Sequence, residues 1–393
     1  MKKITALTAL FFSLAVFSQS KEFVLIDAIS KTPIDLVQIS YPELAIGSIS
    51  NKDGRIRISL REQSILVSHI NYMAKVISFD AFKKKDTLFL SPKTNQLDEI
   101  VIFNVDLKAK ISNILENTYL EKYSTKRAIN KSTYKEAFRA NDSLSRLFQI
   151  QMDWCSKNAL FKGNKPINKQ NIINLKSVDY SKLEKIDSSF MNGNGASVKN
   201  EDFFKFIHLN FLLAIFKNLS SDIVIKSIEK EKNSIHVYFD AALIQRDRKI
   251  YDYKNSLIVF NADYSAINYL KLNMIYNSDW IEDISTKTKI SYQRKTTYNS
   301  LELSYIKLKN EKLTLNYFIF EVQGLIKTNQ IINTVSSKQS LFISESILGK
   351  KIKKSNINFY EPFYENLPPN LKKSDVKILL TNEEKAFLSA DKN

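Results

Sequence analysis

The sequence predicts a mainly β protein: a small N-terminal β-sandwich followed by a larger α+β domain, in which a curved antiparallel sheet holds a buried Phe-rich helix. Three observations support this. Short alternating segments separated by turns fill residues 23–103, a nearly all-apolar stretch spans residues 201–219, and long alternating segments rich in Tyr, Ile and Phe follow. Alternation at period two indicates strands with one buried face, and another layer must cover that face.

Residues 1–18 have the pattern of a secretory signal. Lys2 and Lys3 precede the apolar stretch Thr5–Phe17, which is too short to cross a bilayer comfortably. We therefore expect an exported protein whose mature chain begins near Gln19 and carries no transmembrane span.

Composition limits the partners and the sources of stability. The 393 residues carry a net charge of +17, which favours acidic partners such as an anionic membrane surface. The lysines are scattered along the chain rather than concentrated, so we expect no nucleic-acid interface. Cys155 is the single cysteine and cannot form an internal disulfide. The hydrophobic fraction of 44% is ample for a stabilising core.

The first predicted domain, residues 19–104, is a β-sandwich. Its clearest local signal is the hairpin turn Asn51-Lys52-Asp53-Gly54, because Asn and Asp tolerate a left-handed backbone and Gly has no Cβ. The following segment Arg55–Leu60 alternates polar and apolar residues, as a strand with one buried face does. The remaining predicted strands are Phe23–Ile29, Val37–Tyr41, Leu44–Ile49, Ile65–Ile70, Ala74–Phe79, Thr87–Leu90 and Glu99–Phe103.

This order of strands and turns resembles a known family. The Asn51-x-Asp53-Gly54 turn, the pair Asn71-Tyr72 and the terminal Leu97-Asp98-Glu99-Ile100-Val101-Ile102 are similar to the carboxypeptidase-regulatory-like, or transthyretin-like, β-sandwich of Bacteroidetes cell-envelope proteins. The resemblance covers residues 22–103. It implies an accessory module with an Ig/transthyretin-like fold. With the export signal, it implies a place in the periplasm, at the periplasmic face of the outer membrane, or outside the cell.

The resemblance does not imply a peptidase. The zinc site of a metallocarboxypeptidase needs a His-x-x-Glu pair and a distant His. The three histidines are His69, His208 and His236, and the residues three positions after them are Tyr72, Phe211 and Phe239. We therefore expect no metal site and no cofactor.

Residues 105–130 predict a helical linker, and residues 131–393 predict the α+β domain. Leu107–Lys126 has apolar residues at helical spacing. Residues 156–200 are rich in Lys, Asn and Ser and predict a long loop or insertion. Near the C-terminus, the aromatic segment Asn358–Tyr364 predicts a strap that packs on this domain, followed by a polar helix over Thr381–Ala390.

The apolar stretch Glu201–Leu219 predicts a single helix buried on most sides. A second interpretation is a helix that plugs or covers a hydrophobic groove for a lipid or acyl chain. Under that interpretation the candidate ligand-binding residues are Phe204, Phe211, Leu212 and Phe216.

Motifs for catalysis are weak. Ser132/Lys135 and Ser227/Lys230 have Ser-x-x-Lys spacing, which chance supplies in a chain rich in Ser and Lys, and no Lys-Thr-Gly element accompanies them. Cys155 is more typical of a packed thiol than of a nucleophile. Acidic pairs such as Glu201-Asp202 and Glu282-Asp283, together with Asp279, could serve acid–base chemistry only if the fold brings them together. We therefore name no catalytic residues.

The leading hypothesis is an exported, non-enzymatic envelope protein, in which the sandwich is accessory and the larger domain binds an apolar ligand or a protein partner. Two alternatives stay open. The chain could be a structural interaction protein of an outer-membrane complex, or an exported hydrolase that acts on peptides or glycans through dispersed carboxylates.

Overall fold

The computed structural model describes residues 20–41, 44, 46–93, 105–123, 128–183, 200–246, 248–276, 279–284, 290–308, 311–349, 352, 354–367 and 378–390. Over these residues the fold is mainly β, as the sequence predicts. The chain divides into two compact units, residues 1–93 with 377–382 and residues 94–376 with 383–393. The predicted signal segment 1–18 and the terminal motif Leu97–Ile102 lie outside the described residues.

The first unit is built from short strands in two sheets, ordered β4-β1-β7 and β3-β2-β5-β6. Alternate side chains of both sheets, such as Phe23 and Ile56 from one and Ile39 and Val67 from the other, form one buried cluster. This is the predicted β-sandwich. Its elements are β1 Ser20–Asp27, β2 Gln38–Tyr41, β3 Ile46–Ile49, β4 Arg55–Ser59, β5 Ile65–His69, β6 Tyr72–Ile77, helix α1 Phe79–Lys83 and β7 Thr87–Leu90.

The turn before β4 has the predicted left-handed glycine, but the predicted hairpin is wrong, because β3 pairs with β2 in one sheet and β4 pairs with β1 in the other. Asn51 Oδ1 accepts hydrogen bonds from the backbone N–H groups of Asp53 and Arg55, both at 3.0 Å. Gly54 has φ +69°, and a Cβ at this position would lie 2.5 Å from the carbonyl oxygen of Leu25. Glycine is therefore required both by the left-handed backbone and by the close approach of β1.

The second unit consists of long strands with helices between them. Its helices are α2 Leu107–Asn113, α3 Tyr119–Lys122, α4 Ile167–Gln170, α5 Asn200–Phe206, α6 Leu209–Leu219 and α7 Asn382–Ser389, with a π-helical turn at Ile114–Thr118 and a 3₁₀ turn at Phe363–Asn366. Its strands are β8 Ala128–Ala140, β9 Ser143–Ser156, β10 Asn171–Leu183, β11 Ser220–Lys230, β12 Ser234–Gln245, β13 Arg248–Asn261, β14 Ile267–Ile275, β15 Ile281–Ile284, β16 Ser291–Lys307, β17 Leu313–Thr328 and β18 Ile331–Leu348.

These strands pair antiparallel in the order β11-β12-β13-β14-β16-β17-β18-β8-β9-β10, and β15 adds to the start of β16. The register shifts at several points, for example between Phe239 and Ala241 of β12 and between Ser304 and Tyr305 of β16. Such bulges bend and twist strands. They let this long meander curve around the helices that pack on one of its faces.

The predicted loop over residues 156–200 is wrong in its central part, where β10 forms a strand. The polar residues of this segment suggested a solvated loop, but the polar side chain of Asp179 is paired within the sheet. Asp179 is buried and accepts hydrogen bonds from Gln149 at 2.6 Å and from Gln151 at 2.5 Å, both on the neighbouring β9. A polar residue in a strand is compatible with burial when the adjacent strand supplies its hydrogen-bond partner.

Candidate functional site

The predicted single helix over Glu201–Leu219 is two helices, α5 and α6, with a break at Ile207–His208. His208 has extended backbone, with φ −88° and ψ 104°. No Gly or Pro stands at this point, so local propensity does not explain the break. A tertiary contact lies at the break: His208 Nε2 is 3.1 Å from Asn171 Oδ1 on β10. We refer to α5 and α6 together as the helix pair.

The structure divides the four predicted ligand-binding residues into two groups. Phe204, Leu212 and Phe216 are buried against the sheet. The Phe204 ring contacts Trp154, and the Phe216 ring lies 5.3 Å from that of Phe239. Phe211 is only partly buried and packs beside Phe161 and Phe206 instead. Their role in ligand binding stays a prediction.

The aromatic C-terminal strap, residues 354–367, packs on this unit as the sequence predicts. Its Phe363 is fully buried, with its ring 4.2 Å from Tyr134 and 5.9 Å from Phe204. The strap also holds the start of α5, because the backbone N–H of Glu201 donates to the carbonyl oxygen of Phe359 at 2.7 Å. The strap therefore supplies part of the apolar layer beneath the helix pair.

The other side of the helix pair is attached by polar contacts. Asn210 Nδ2 donates to the Phe161 carbonyl at 3.0 Å, and the Phe161 N–H donates to Asn210 Oδ1 at 3.3 Å. Lys217, near the end of α6, pairs with Glu116 at 2.6 Å on the protein surface. Exposed ion pairs stabilise a fold weakly. Between these attachments, the helix pair rests mainly on apolar contacts.

A cavity of about 50 Å³ lies beneath the break in the helix pair. This volume holds a few water molecules and is far smaller than the roughly 300–1,000 Å³ of typical small-molecule pockets. An acyl chain therefore needs the helix pair or the strap to move. The lining residues are Tyr119, Tyr123, Ala128, Asn130, Trp154, Ser156, Ala159, Ile207, His208, Leu209, Tyr305, Leu313, Thr314 and Leu315.

Two of these lining side chains converge on one buried amide. Trp154 Nε1 donates to Asn171 Oδ1 at 2.9 Å, and His208 Nε2 lies near the same oxygen. Asn171 is fully buried, and among the described residues its Nδ2 group has no hydrogen-bond partner. A buried donor without a partner costs about 1–3 kcal/mol. No sequence motif pointed to Asn171, since its significance depends on residues from two other elements.

His208 is neutral in this setting. Burial lowers its pKa from the usual 6.5 to about 3. Its position at the N-terminus of α6 acts in the same direction, because the helix dipole disfavours a positive charge there. The ring stacks on Phe161 with centroids 4.7 Å apart. The side chain is therefore an uncharged hydrogen-bonding group beside the cavity.

A buried ion pair lies on the same face of the sheet and was not predicted. Arg146 Nε donates to Glu136 Oε1 at 2.8 Å, and both side chains are almost fully enclosed. Tyr134 donates to Glu136 Oε2 at 2.9 Å. The guanidinium lies between the rings of Phe138 and Tyr364, with Tyr364 contributed by the strap. This network anchors the strap to the sheet.

The Ser132/Lys135 motif does not assemble into a catalytic site. Ser132 and Lys135 are three residues apart on β8 and so point to opposite faces; Ser132 Oγ donates to the Asn130 carbonyl, whereas Lys135 pairs with Glu384 at 2.6 Å. Cys155 is buried, and burial raises the pKa of its thiol.

The acidic pairs occupy separate surfaces. Glu201 pairs with Lys205 on α5 at 2.7 Å, whereas Asp283 pairs with Arg294 at the edge of the sheet at 3.1 Å. Within the described ranges, no group of three or more His, Cys, Asp or Glu side chains is placed to hold a metal ion. No helix in the described part of the chain has the length and apolarity needed to cross a membrane.

No protein-family model matches the chain, and no curated protein matches it. Among solved structures, a LolA superfamily protein from Nitrosomonas europaea is similar over 62% of this chain and 94% of its own, at 10% sequence identity and a TM-score of 0.24. These values do not assign the chain to that superfamily.

Proposed function

We propose that this chain is an exported, non-enzymatic envelope protein whose second unit binds an apolar ligand, a lipid or an acyl chain, between the helix pair and the sheet. The first unit is then an accessory β-sandwich of the carboxypeptidase-regulatory-like kind. Its two sheets and the left-handed Gly54 in the Asn51–Gly54 turn are consistent with that resemblance.

The observation that carries the proposal is the distribution of apolar side chains on α6. Leu212 and Phe216 are buried, as expected for the apolar face of an amphipathic helix. Phe211 and Ile215 are apolar as well, yet only partly buried. A helix that merely covers a core is expected to carry polar side chains on its outer face. Apolar residues on both sides suit a helix that moves and exchanges one apolar environment for another.

The attachments of the helix pair support this motion. Polar ties hold it at Glu201, Asn210 and Lys217, and the last of these is an exposed ion pair. The cavity of about 50 Å³ is lined by residues of the break and by residues of the sheet. Opening at the break would let an acyl chain replace the aromatic rings that now fill the layer.

Native mass spectrometry of the purified mature protein with extracted bacterial lipids tests this function. We expect a bound species whose added mass corresponds to an acylated molecule. The matched variants are Leu212→Asp, which places a charge in the layer, and Asn218→Asp, which places one at an exposed position of α6. Lipid binding should be lost in the first and kept in the second. A lipid-free protein under all conditions would favour the structural-interaction alternative.

Export has a separate test. Intact mass and cell fractionation should find a chain that starts near Gln19 in the periplasmic or outer-membrane fraction. Full-length chain in the cytosol would contradict the proposed location.

A further inference from the structure

We propose that Asn171 recognises the neutral carbonyl oxygen of an acylated ligand, an ester or an amide, when the helix pair opens at its break. This inference rests on the proposed function and specifies its ligand. The residues involved are Asn171 on β10, Trp154 on β9 and His208 at the start of α6.

The orientation of the Asn171 amide is fixed by its neighbours. An indole N–H can only donate, so the group 2.9 Å from Trp154 Nε1 must be the amide oxygen. The Nδ2 group is thereby directed elsewhere. It is buried and lacks a hydrogen-bond acceptor among the described residues. A fully enclosed amide held in one orientation, with an unused donor, is suited to receive an oxygen from a ligand.

His208 makes this site dependent on the helix pair. Its ring belongs to the break between α5 and α6, and it contacts the same amide that Trp154 orients. Movement of α6 away from the sheet withdraws His208 from Asn171. Asn171 does not itself line the cavity, but Trp154 and His208 do, so we infer that this movement opens a path from the cavity to the amide while Trp154 on β9 still holds its oxygen. In the closed state His208 lies against Asn171 Oδ1, and in the open state a ligand carbonyl accepts from Asn171 Nδ2.

The lining of the cavity decides between a neutral and a charged ligand group. None of its described lining residues is Lys, Arg, Asp or Glu. Burying a carboxylate without a cationic partner is strongly unfavourable, whereas a carbonyl needs only hydrogen-bond donors. The site therefore fits an esterified or amide-linked acyl chain better than a free fatty acid.

Trp154 provides a reporter at the site. The chain has two tryptophans. Trp280 precedes β15, which pairs with the start of β16, whereas the cavity is lined by Tyr305 near the other end of β16. In a Trp280→Phe protein, the emission of Trp154 alone can be followed. The probes are methyl laurate, laurate and dodecane, which share a chain length and differ at one end.

We expect methyl laurate to bind about tenfold more tightly than dodecane, as one added hydrogen bond implies, and more tightly than laurate. Asn171→Asp keeps the acceptors for Trp154 and His208 but removes the donor. It should abolish the preference for the ester. Asn299→Leu is the control, because Asn299 on β16 likewise carries a buried amide with one atom, here the oxygen, that has no hydrogen-bond partner among the described residues. It should leave the preference intact.

The outcomes are distinguishable. Equal binding of all three probes would overturn carbonyl recognition while the proposed apolar function stands. Tightest binding of laurate would overturn the inference of a neutral group. Failure of every probe would overturn the proposed function as well. The probe series on the Trp280→Phe protein decides the inference even if Asn171→Asp does not fold.

Discussion

The guanidinium of Arg146 donates to the carboxylate of Glu136 at 2.8 Å inside the second unit, where each side chain is at most 4% exposed. Tyr364 of the strap covers the guanidinium at 4.3 Å. A buried ion pair stabilises a fold only while both charges are present. This pair therefore links the strap, the sheet and the stability of the apolar layer.

Replacing Glu136 by Gln should destabilise the second unit by about 3–5 kcal/mol, because it removes the carboxylate charge that faces the buried Arg146 guanidinium. Glu345→Gln is the control. Glu345 pairs with Lys131 at 2.6 Å on the same sheet, but at the surface, where such a pair contributes about 0–1 kcal/mol. Urea unfolding measures both. Similar losses in the two variants would show that the buried Arg146–Glu136 pair contributes no more to stability than a surface ion pair does.

Acid should weaken the second unit through His208. Its pKa is about 3 in the fold against 6.5 ordinarily, so below pH 6.5 the unfolded chain binds a proton that the folded chain does not. Stability is then unaffected above pH 6.5 and falls as pH decreases towards 3, by at most about 1.4 kcal/mol per pH unit. His208→Gln should reduce this slope between pH 6.5 and pH 4 in urea titrations. An unchanged slope would contradict the attribution of this pH dependence to His208.

The strap should stabilise the second unit mainly through the ring of Phe363. Phe363 is fully buried between Tyr134 and Phe204, and Phe363→Ala should cost about 3–5 kcal/mol. Tyr360 is on the same strap and is 51% exposed, so Tyr360→Ala should change stability by no more than about 0.5 kcal/mol. Thermal unfolding compares the two. If an acyl ligand occupies the apolar layer, added methyl laurate should restore part of the stability lost in Phe363→Ala. If the strap lies outside the ligand site, methyl laurate should restore none of it.

Alanine substitutions at two glycines distinguish the stability cost of a left-handed backbone from the additional cost of steric crowding. Gly349 has φ +77° and open space where a Cβ would be placed, so Gly349→Ala should cost about 1–2 kcal/mol. Gly54 has φ +69°, but its added Cβ would also meet the Leu25 carbonyl. Gly54→Ala should therefore destabilise the first unit by more than Gly349→Ala destabilises the second. Equal losses would mean that β1 shifts freely at this turn.

Much of the fold could be predicted from local pattern. The alternation in Arg55–Leu60 predicted strand β4, and the Asn51–Gly54 motif predicted a tight turn; both are present, but the turn joins strands of two different sheets and does not form the predicted hairpin. The density of Phe in residues 201–219 predicted a buried helical segment. Patterns of this kind depend on neighbours in sequence, which single-chain reasoning can use.

The candidate site could not be predicted from local pattern, because it is formed by contacts between residues that are far apart in sequence. His208 at the break contacts Asn171, which is 37 positions away, and the enclosed Glu136 is neutralised by Arg146 across a strand pair. In β10, Asp179 is buried because Gln149 and Gln151 donate to it. In each case, a polar residue that suggests solvent exposure in sequence is satisfied by a partner that only the fold identifies.

Hydrogen exchange of the backbone amides tests most directly whether the helix pair opens to admit an acyl ligand. Peptides from residues 200–219 should exchange much faster than peptides from the central strands β14 and β16, and added methyl laurate should slow them selectively. Contradiction would come from helix-pair amides that exchange only as slowly as those strands and are unchanged by the ester, since the segment would then be ordinary core.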